Sequence, residues 1–424
     1  MKSRILTWST ATFLFVALAI PLRLAAQGQN QEPPVYTVAD IGTLGGTFGE
    51  ANGVNNKGWV VGDATLPGDL FRHAFVWRKG VMTDLGTLGG PNSLAFYPSN
   101  ERGEIAGFSD SSTTDPLSED FCGFGTNLTC VPFLWQHGVM TLLPTLGGNN
   151  GQAFDVNNRG QVVGVAENTT PEATCVDTPQ MLFQFKPVIW QKDVIHELPT
   201  FPGDSDGFAA AINDRGQVVG QTGDCTNAFH AVLWEHGTVS DLGTLGELQL
   251  GPQDINNQGQ VVGVAFSATT LVAFLWENGV ATNLGTLAPD VFSLALGVNE
   301  KGQVVGDSCD ESFACRAFLW QNGTMTELND LVNDPNAPFL ENANSINSRG
   351  QIAGKTTVQG TPIADAFLAT PSPGEVNSRR NTPAAQRQTS ERQKVILSEA
   401  IRKMLRQRLG PRYHIPGLGA SPRD

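Results

Sequence analysis

Seven times this chain repeats nearly the same ten residues. The clearest copy, "DVNNRGQVVG" (Asp155–Gly164), is matched at Gly53–Gly62, Ala211–Gly220, Asp254–Gly263, Gly297–Gly306 and Ser345–Gly354, with a worn copy at Ser99–Gly107. The glycine of each N-x-x-G word is Gly58, Gly103, Gly160, Gly216, Gly259, Gly302 or Gly350, in steps of 45, 57, 56, 43, 43 and 48 residues. A period of this size marks a repeat architecture, in which each unit buries its faces only against its neighbours.

Two further words recur in order. "HAFVW" (His73–Trp77) returns as "PFLW" (Pro132–Trp135), "PVIW" (Pro187–Trp190), "HAVLW" (His230–Trp234), "VAFLW" (Val272–Trp276), "RAFLW" (Arg316–Trp320) and "DAFLA" (Asp365–Ala369). "LGTLGG" (Leu85–Gly90) returns at Leu143, Leu198, Leu242, Leu284 and, weakly, Leu328. Together the words describe a meander of four short strands, a to d. N-x-x-G suits a type I turn with glycine in the left-handed position and the Asn side chain bonded to backbone N–H groups. "QVVG" is β-branched strand b, the Trp-ended word is strand c, and Asn-Gly after it (Asn278-Gly279, Asn322-Gly323) signals a tight c–d hairpin. Strand a carries Ala51, Ala153, Ala209, Ala295 and Ala343, each four residues before the turn Asn, which suits a crowded inner rim.

The ends decide between an open solenoid and a ring. The seventh unit has strands a, b and c near Glu341–Asn347, Gln351–Gly354 and Asp365–Thr370, but no strand d. At the other end, "YTVADIGTLGG" (Tyr36–Gly46) is a strand d with no a, b or c. A ring uses both fragments, so the expected fold is all-β: a seven-bladed β-propeller of four-stranded meander blades over residues 35–371, closed by its N-terminal strand.

The three ordered words resemble those of the HAF repeat family of probable extracellular proteins, over roughly Tyr36–Thr370, although "HAF" itself stands intact only at His73–Phe75. The resemblance implies secretion and repetition. It carries no assigned reaction and no catalytic residues.

Residues 1–26 read as a signal peptide: Lys2 and Arg4, an apolar run from about Ala11 to Leu22, then Ala25 and Ala26. No Cys stands at the cleavage region for a lipid anchor. Residues 372–424 read as a basic, mostly disordered tail with 11 Lys+Arg against 4 Asp+Glu after Pro373. Within it, Ser390 and Gln393 form a capping box, and an amphipathic helix is expected over about 390–409. That helix would suit an acidic partner, a membrane surface or the propeller itself. The body between leader and tail is left with a net charge near −24 of the chain's −14, which argues against nucleic acid as a partner. A secreted monomer is expected.

Six cysteines in such a chain point to disulfides. Cys122/Cys130 and Cys309/Cys315 are each close in sequence, which leaves Cys175 and Cys225 for each other. All six fall in b–c connections, which run to about two dozen residues in blade 2 (Phe108–Val131) and blade 3 (Val165–Lys186). The face formed by b–c and d–a loops is therefore the expected working face. On it, "GDSDG" (Gly203–Gly207) matches G-x-S-x-G but has no helix behind it for a nucleophile elbow. Asp204 and Asp206 in the same five residues form a fragment of a calcium loop, the one candidate for Ca²⁺ in a chain otherwise expected to need no cofactor. The third carboxylate and distal Glu of a complete loop are absent, and a polar turn is the plainer reading. Asp310 and Glu311 sit at the tip of the Cys309–Cys315 loop as candidates for contact with a cation or partner, against a solvated loop. His73 and His230 reflect the repeat, with no metal motif beside them. The strand-c tryptophans are expected between blades rather than on a sugar-stacking surface.

No acid–base pair is marked out by spacing. The expected function is a binding scaffold, secreted and disulfide-stapled, for an extracellular glycan or protein. The alternative is a propeller lyase or hydrolase acting on a polymer through loop carboxylates.

Overall fold

A computed structural model describes residues 34–174, 182–192, 194–224, 228–267, 270–357 and 363–372. The leader, the tail from residue 373 with its expected helix, and both Cys175 and Cys225 lie outside these. Among the described residues no helix is long and apolar enough to cross a membrane.

The words of the sequence fold as written. Seven antiparallel sheets run in the order a-b-c-d, as in Gly49–Val54, Val60–Thr65, Arg72–Arg78 and Val81–Asp84 of blade 1. Blade 5 adds a two-residue strand, Thr244–Leu245, paired with the start of its strand a. Blade 7 takes its strands a to c from Phe339–Ile346, Ile352–Thr357 and Ala366–Pro371, and its outer strand from Tyr36–Gly42. That last pairing is antiparallel, with Val38 opposite Ala369 and Thr37 opposite Thr370. The molecule is a seven-bladed propeller closed by its first strand.

The a–b turns explain the ten-residue word. In every blade the glycine N–H donates to the carbonyl of the Asn three before it, as in Gly216 to Asn213 at 3.0 Å. The Asn213 Oδ1 accepts the N–H groups of Arg215 and Gln217. Its amide then reaches out of the blade and donates to the carbonyl of Asn256 at 2.9 Å. The same bond runs from Asn55 to Asn100, Asn100 to Asn157, Asn157 to Asn213, Asn256 to Asn299, Asn299 to Asn347, and Asn347 back to Asn55. Seven buried asparagines thus form a closed ring of hydrogen bonds, one per blade junction.

Apolar cores lie between blades. Val61, Ala74 and Val76 of blade 1 pack with Ile105, Phe133 and Trp135 of blade 2. At the closing junction, Ala51, Val54 and Phe75 of blade 1 meet Ala353, Ala366 and Leu368 of blade 7. The strand-c tryptophans serve these junctions: Trp190, Trp234 and Trp276 donate their indole N–H to the carbonyls of Pro144, Pro199 and Leu242 in the preceding blade. In blades 1, 2, 4, 5 and 6 the c–d hairpin places both central residues at positive φ, even where Lys79 or His137 stands instead of Asn, as the primed turns of twisted hairpins require.

The long b–c connections differ from the expected loops. In blade 2, strand b extends over Ile105–Thr114 and strand c over Leu128–Gln136; in blade 3 they cover Gln161–Pro171 and Phe183–Gln191. Much of each connection is therefore a hairpin arm. The polar runs that read as loop, such as "SDSSTT", take strand geometry because cross-strand partners such as Asp110 and Cys130 complete the ladder. The Cys122–Cys130 and Cys309–Cys315 disulfides form as expected.

Candidate functional site: the bulge ring and central channel

Strand a is interrupted at the same place in blade after blade. The register shifts between Ala51 and Gly53, Ala153 and Asp155, Ala209 and Ala211, Pro252 and Asp254, Ala295 and Gly297, and Ala343 and Ser345. A β-bulge leaves one residue unpaired and re-aims its side chain. The residue so freed lies three before the turn Asn: Asn52, Phe154, Ala210, Gln253, Leu296 and Asn344. In blade 2 the ladder of strand a stops at Leu94, and Tyr97 takes the same place. All seven line one central cavity of about 520 Å³. This is within the range of small-molecule sites.

The cavity has two unlike walls toward the disulfide face. Blades 2 to 4 supply an aromatic wall. Phe96 and Phe108 lie 5.7 Å apart, Phe108 and Phe154 6.4 Å, Phe154 and Phe208 6.2 Å, and Phe124 from the disulfide arm lies 6.0 Å from Phe108. The arm is tied down by Gln152, whose amide donates to the Phe121 carbonyl at 2.9 Å. Blades 1 and 7 supply a polar wall. Arg72 lies over the Phe48 ring at 4.4 Å and pairs with Asp63 and, at 3.8 Å, Glu50. Asn52 donates to Asp63 at 2.8 Å, and Asn344 to Glu50 at 3.0 Å. Burial raises the Asp63 carboxyl above its ordinary range, with Arg72 opposing.

Deeper, Asp155 and Asp254 occupy equivalent places in blades 3 and 5. Each clasps the next blade, accepting the backbone N–H of Ile212 or Val298 on one oxygen and that of its own successor on the other. Burial pushes Asp155 up to about 7 and Asp254 up to about 6, and the Asp254 charge adds to the Asp155 shift. Tyr97 reaches from blade 2 across to blade 5, where its hydroxyl donates to the Gln253 carbonyl. Burial, reinforced by Asp254 and Asp155, holds that phenol well above its usual range.

At the turn end, the residue after each ring Asn links to its neighbour. Asn56, Glu101, Asn158, Asp214 and Asn257 each donate their backbone N–H to the side chain of the next blade's turn, and Ser348 donates to Asn56. Glu300 Oε2 is shut off from solvent with no hydrogen-bond partner. In all, the cavity is lined by seven acidic side chains (Glu50, Asp63, Glu101, Asp155, Asp214, Asp254, Glu300) and two basic ones (Arg72, Lys355).

Of the residues singled out from sequence, Cys122 lines the cavity and the carboxylates and histidines lie elsewhere. Asp204 accepts from the Thr222 hydroxyl and pairs with His230 at 2.9 Å. Asp206 is buried, accepts the Phe185 N–H, and is raised to about 8 by burial and by its neighbour Glu172. Among the described residues no three His, Cys, Asp or Glu side chains gather closely enough to hold a metal ion. Asp310 folds its own loop, accepting from Ser312 and Ala314, and Glu311 is exposed. His73 pairs with Asp84 at 2.9 Å. The bulge residues went unnoticed in the sequence, although a signal stood there: immediately before the repeated word, their position runs Asn, Tyr, Phe, Ala, Gln, Leu, Asn.

No family model matches the chain and no curated protein matches it. Among solved structures it is similar to the β-propeller domain of the Trilobed protease from Pyrococcus furiosus, at 10% identity over 67% of this chain and 82% of that one, with a TM-score of 0.45. It is also similar to a puromycin-hydrolyzing peptidase of Mycobacterium tuberculosis (11% identity, 79% of this chain, TM-score 0.48), of which it spans about half, 54%. A third is a gluconolactonase from Xanthomonas campestris (12% identity, 70% of this chain and 94% of that one, TM-score 0.36). The likeness is one of architecture and carries no activity to this chain.

Proposed function

We propose that this protein is an extracellular binding scaffold that takes a saccharide into the disulfide-face mouth of its central channel. The carrying observation is the bulge ring, which brings the apolar side chains of Phe154, Tyr97 and Leu296 and the amides of Asn52, Gln253 and Asn344 into one cavity. A pyranose has the matching duality: C–H faces that stack on aromatic rings and a hydroxyl edge that bonds amides and carboxylates. Two intramolecular disulfides and the expected signal peptide favour an oxidising compartment. The test is a glycan array followed by calorimetry. A saccharide ligand should lose at least about tenfold in affinity with Phe154→Ala, which removes a stacking surface. Binding unchanged by that substitution would move the site off the channel.

One observation favours a second reading. Two channel carboxyls raised to about 7 and about 6 are poised for acid–base chemistry near neutrality. An enzyme would release products from a polymer and lose this activity in Asp155→Asn. A scaffold would bind the polymer and leave it intact.

A further inference from the structure

One channel residue belongs to no single wall. Tyr97 stands on blade 2, and its hydroxyl donates to the Gln253 carbonyl on blade 5. In a ring of seven, no two blades are further apart than these. The Tyr97 side chain packs against the apolar core between blades 4 and 5, which includes Val219 and Ile255. The segment that carries it is fixed to blade 1 on both sides. The Asn52 amide donates to the Ala95 carbonyl and the Asn55 amide to the Ser99 hydroxyl, each at 3.0 Å. Pro98 has no N–H to continue a ladder. Gly53 makes room for it, since a Cβ there would lie 2.2 Å from the Pro98 nitrogen. This is the blade whose copy of the repeated word is worn. Tyr97 is thus a strut across the bore, held at both ends. Phe154 and Ala210 line what is left on one side of it, and Leu296, Asn344 and Asn52 what is left on the other.

We propose that the Tyr97 strut is the floor of the disulfide-face chamber, so that the site takes the terminal residues of a saccharide chain and not an internal run. The proposal rests on the saccharide reading above. On the mouth side of the strut lie Phe96, Phe124 and Arg72; beyond it lie the turn residues Asn56, Glu101 and Asp214. A pocket with one entrance cannot be threaded. A linear polymer enters it only by an end, and it seats only the sugars that fit between mouth and floor. Because the bond to Gln253 holds the strut before any ligand arrives, binding bears no cost of ordering it.

The experiment is calorimetry on the full chain with linear oligosaccharides from dimer to hexamer and with long soluble polymers of the same linkage. The probes are the xylan, mannan, mixed-linkage glucan and amylose series, with any further series that the glycan array picks out. In a series that binds, affinity per chain should level off within the oligomers, changing less than about twofold from hexamer to polymer. One protein should bind per chain whatever its length. Tyr97→Ala removes the floor, and affinity should then go on rising with length, several-fold above the wild-type plateau, as added sugars reach the amides of Asn56 and Asn158. Tyr97→Phe loses only the bond to Gln253 and should move the plateau the same way by less. Circular dichroism establishes that the variants are folded, and the wild-type stoichiometry decides without them. A stoichiometry that grows with chain length, or a folded Tyr97→Ala that keeps the wild-type plateau, overturns end-on binding against this floor and leaves the saccharide reading standing. If no series and no arrayed glycan binds, the saccharide reading fails and the end-on proposal with it.

Discussion

At the scale of single residues, the repeated word is a set of separate physical demands. The turn Asn serves two: its oxygen completes its own turn and its amide bonds the next blade. Asn213→Ala removes both and should cost about 2–3 kcal/mol, with Asn213→Asp, which keeps the acceptor, costing less. Thermal unfolding of the two variants separates the turn from the ring. The last glycine of the word answers to the bulge. A Cβ on Gly164 would lie 2.0 Å from the Gln152 carbonyl oxygen, and one on Gly306 1.9 Å from that of Leu294. Neither partner is a side chain that can swing away. Gly164→Ala should therefore cost more than about 3 kcal/mol, against about 1 kcal/mol for Gly138→Ala, where positive φ is strained but the space is open. Equal losses in denaturant titrations would remove the bulge as the reason for that glycine.

At the scale of elements, the closing strand and the disulfide arm do different work. Tyr36–Gly42 covers an edge that would otherwise leave Ala366–Pro371 open to pairing with other chains. A chain lacking residues 34–42 should lose its single cooperative transition and self-associate, which calorimetry and size-exclusion chromatography would show. Retention of the wild-type transition would mean that the ring holds without its clasp. The Cys122–Cys130 bridge closes only an eight-residue separation, so its loss should cost about 2–3 kcal/mol at most. Its larger effect should be local. In Cys122→Ser/Cys130→Ser, hydrogen exchange should rise in the arm around Phe121 and Phe124, with ligand affinity falling before global stability does.

For the whole molecule, pH is the variable that reads the buried carboxyls. Asp206, Asp155 and Asp254 are raised to about 8, about 7 and about 6, from an unfolded value of about 3.9. The folded state thus binds protons that the unfolded chain has released. Their contribution to stability is full below pH about 4, declines as pH rises, and is lost above the folded values. Asp206→Asn, neutral throughout, should gain on the wild type steadily between pH about 4 and about 8 in paired thermal melts. A constant difference over that window would place the Asp206 proton elsewhere.

The repeat period, the strand words and the two half-units at the ends determined a seven-bladed ring closed by its first strand, because hydrophobic alternation and turn chemistry are local and leave their marks in consecutive residues. Two of the disulfides were legible for the same reason. The site was not. Sequence pointed to long, variable loops and to carboxylates such as Asp204 and Asp310, which the fold spends on its own hydrogen bonds. Only the closed ring brings Asn52, Tyr97, Phe154 and Asn344 to one axis, since they stand on different blades and meet through no local contact. The near-neutral carboxyls likewise follow from burial, which a chain acquires only when its blades close around it.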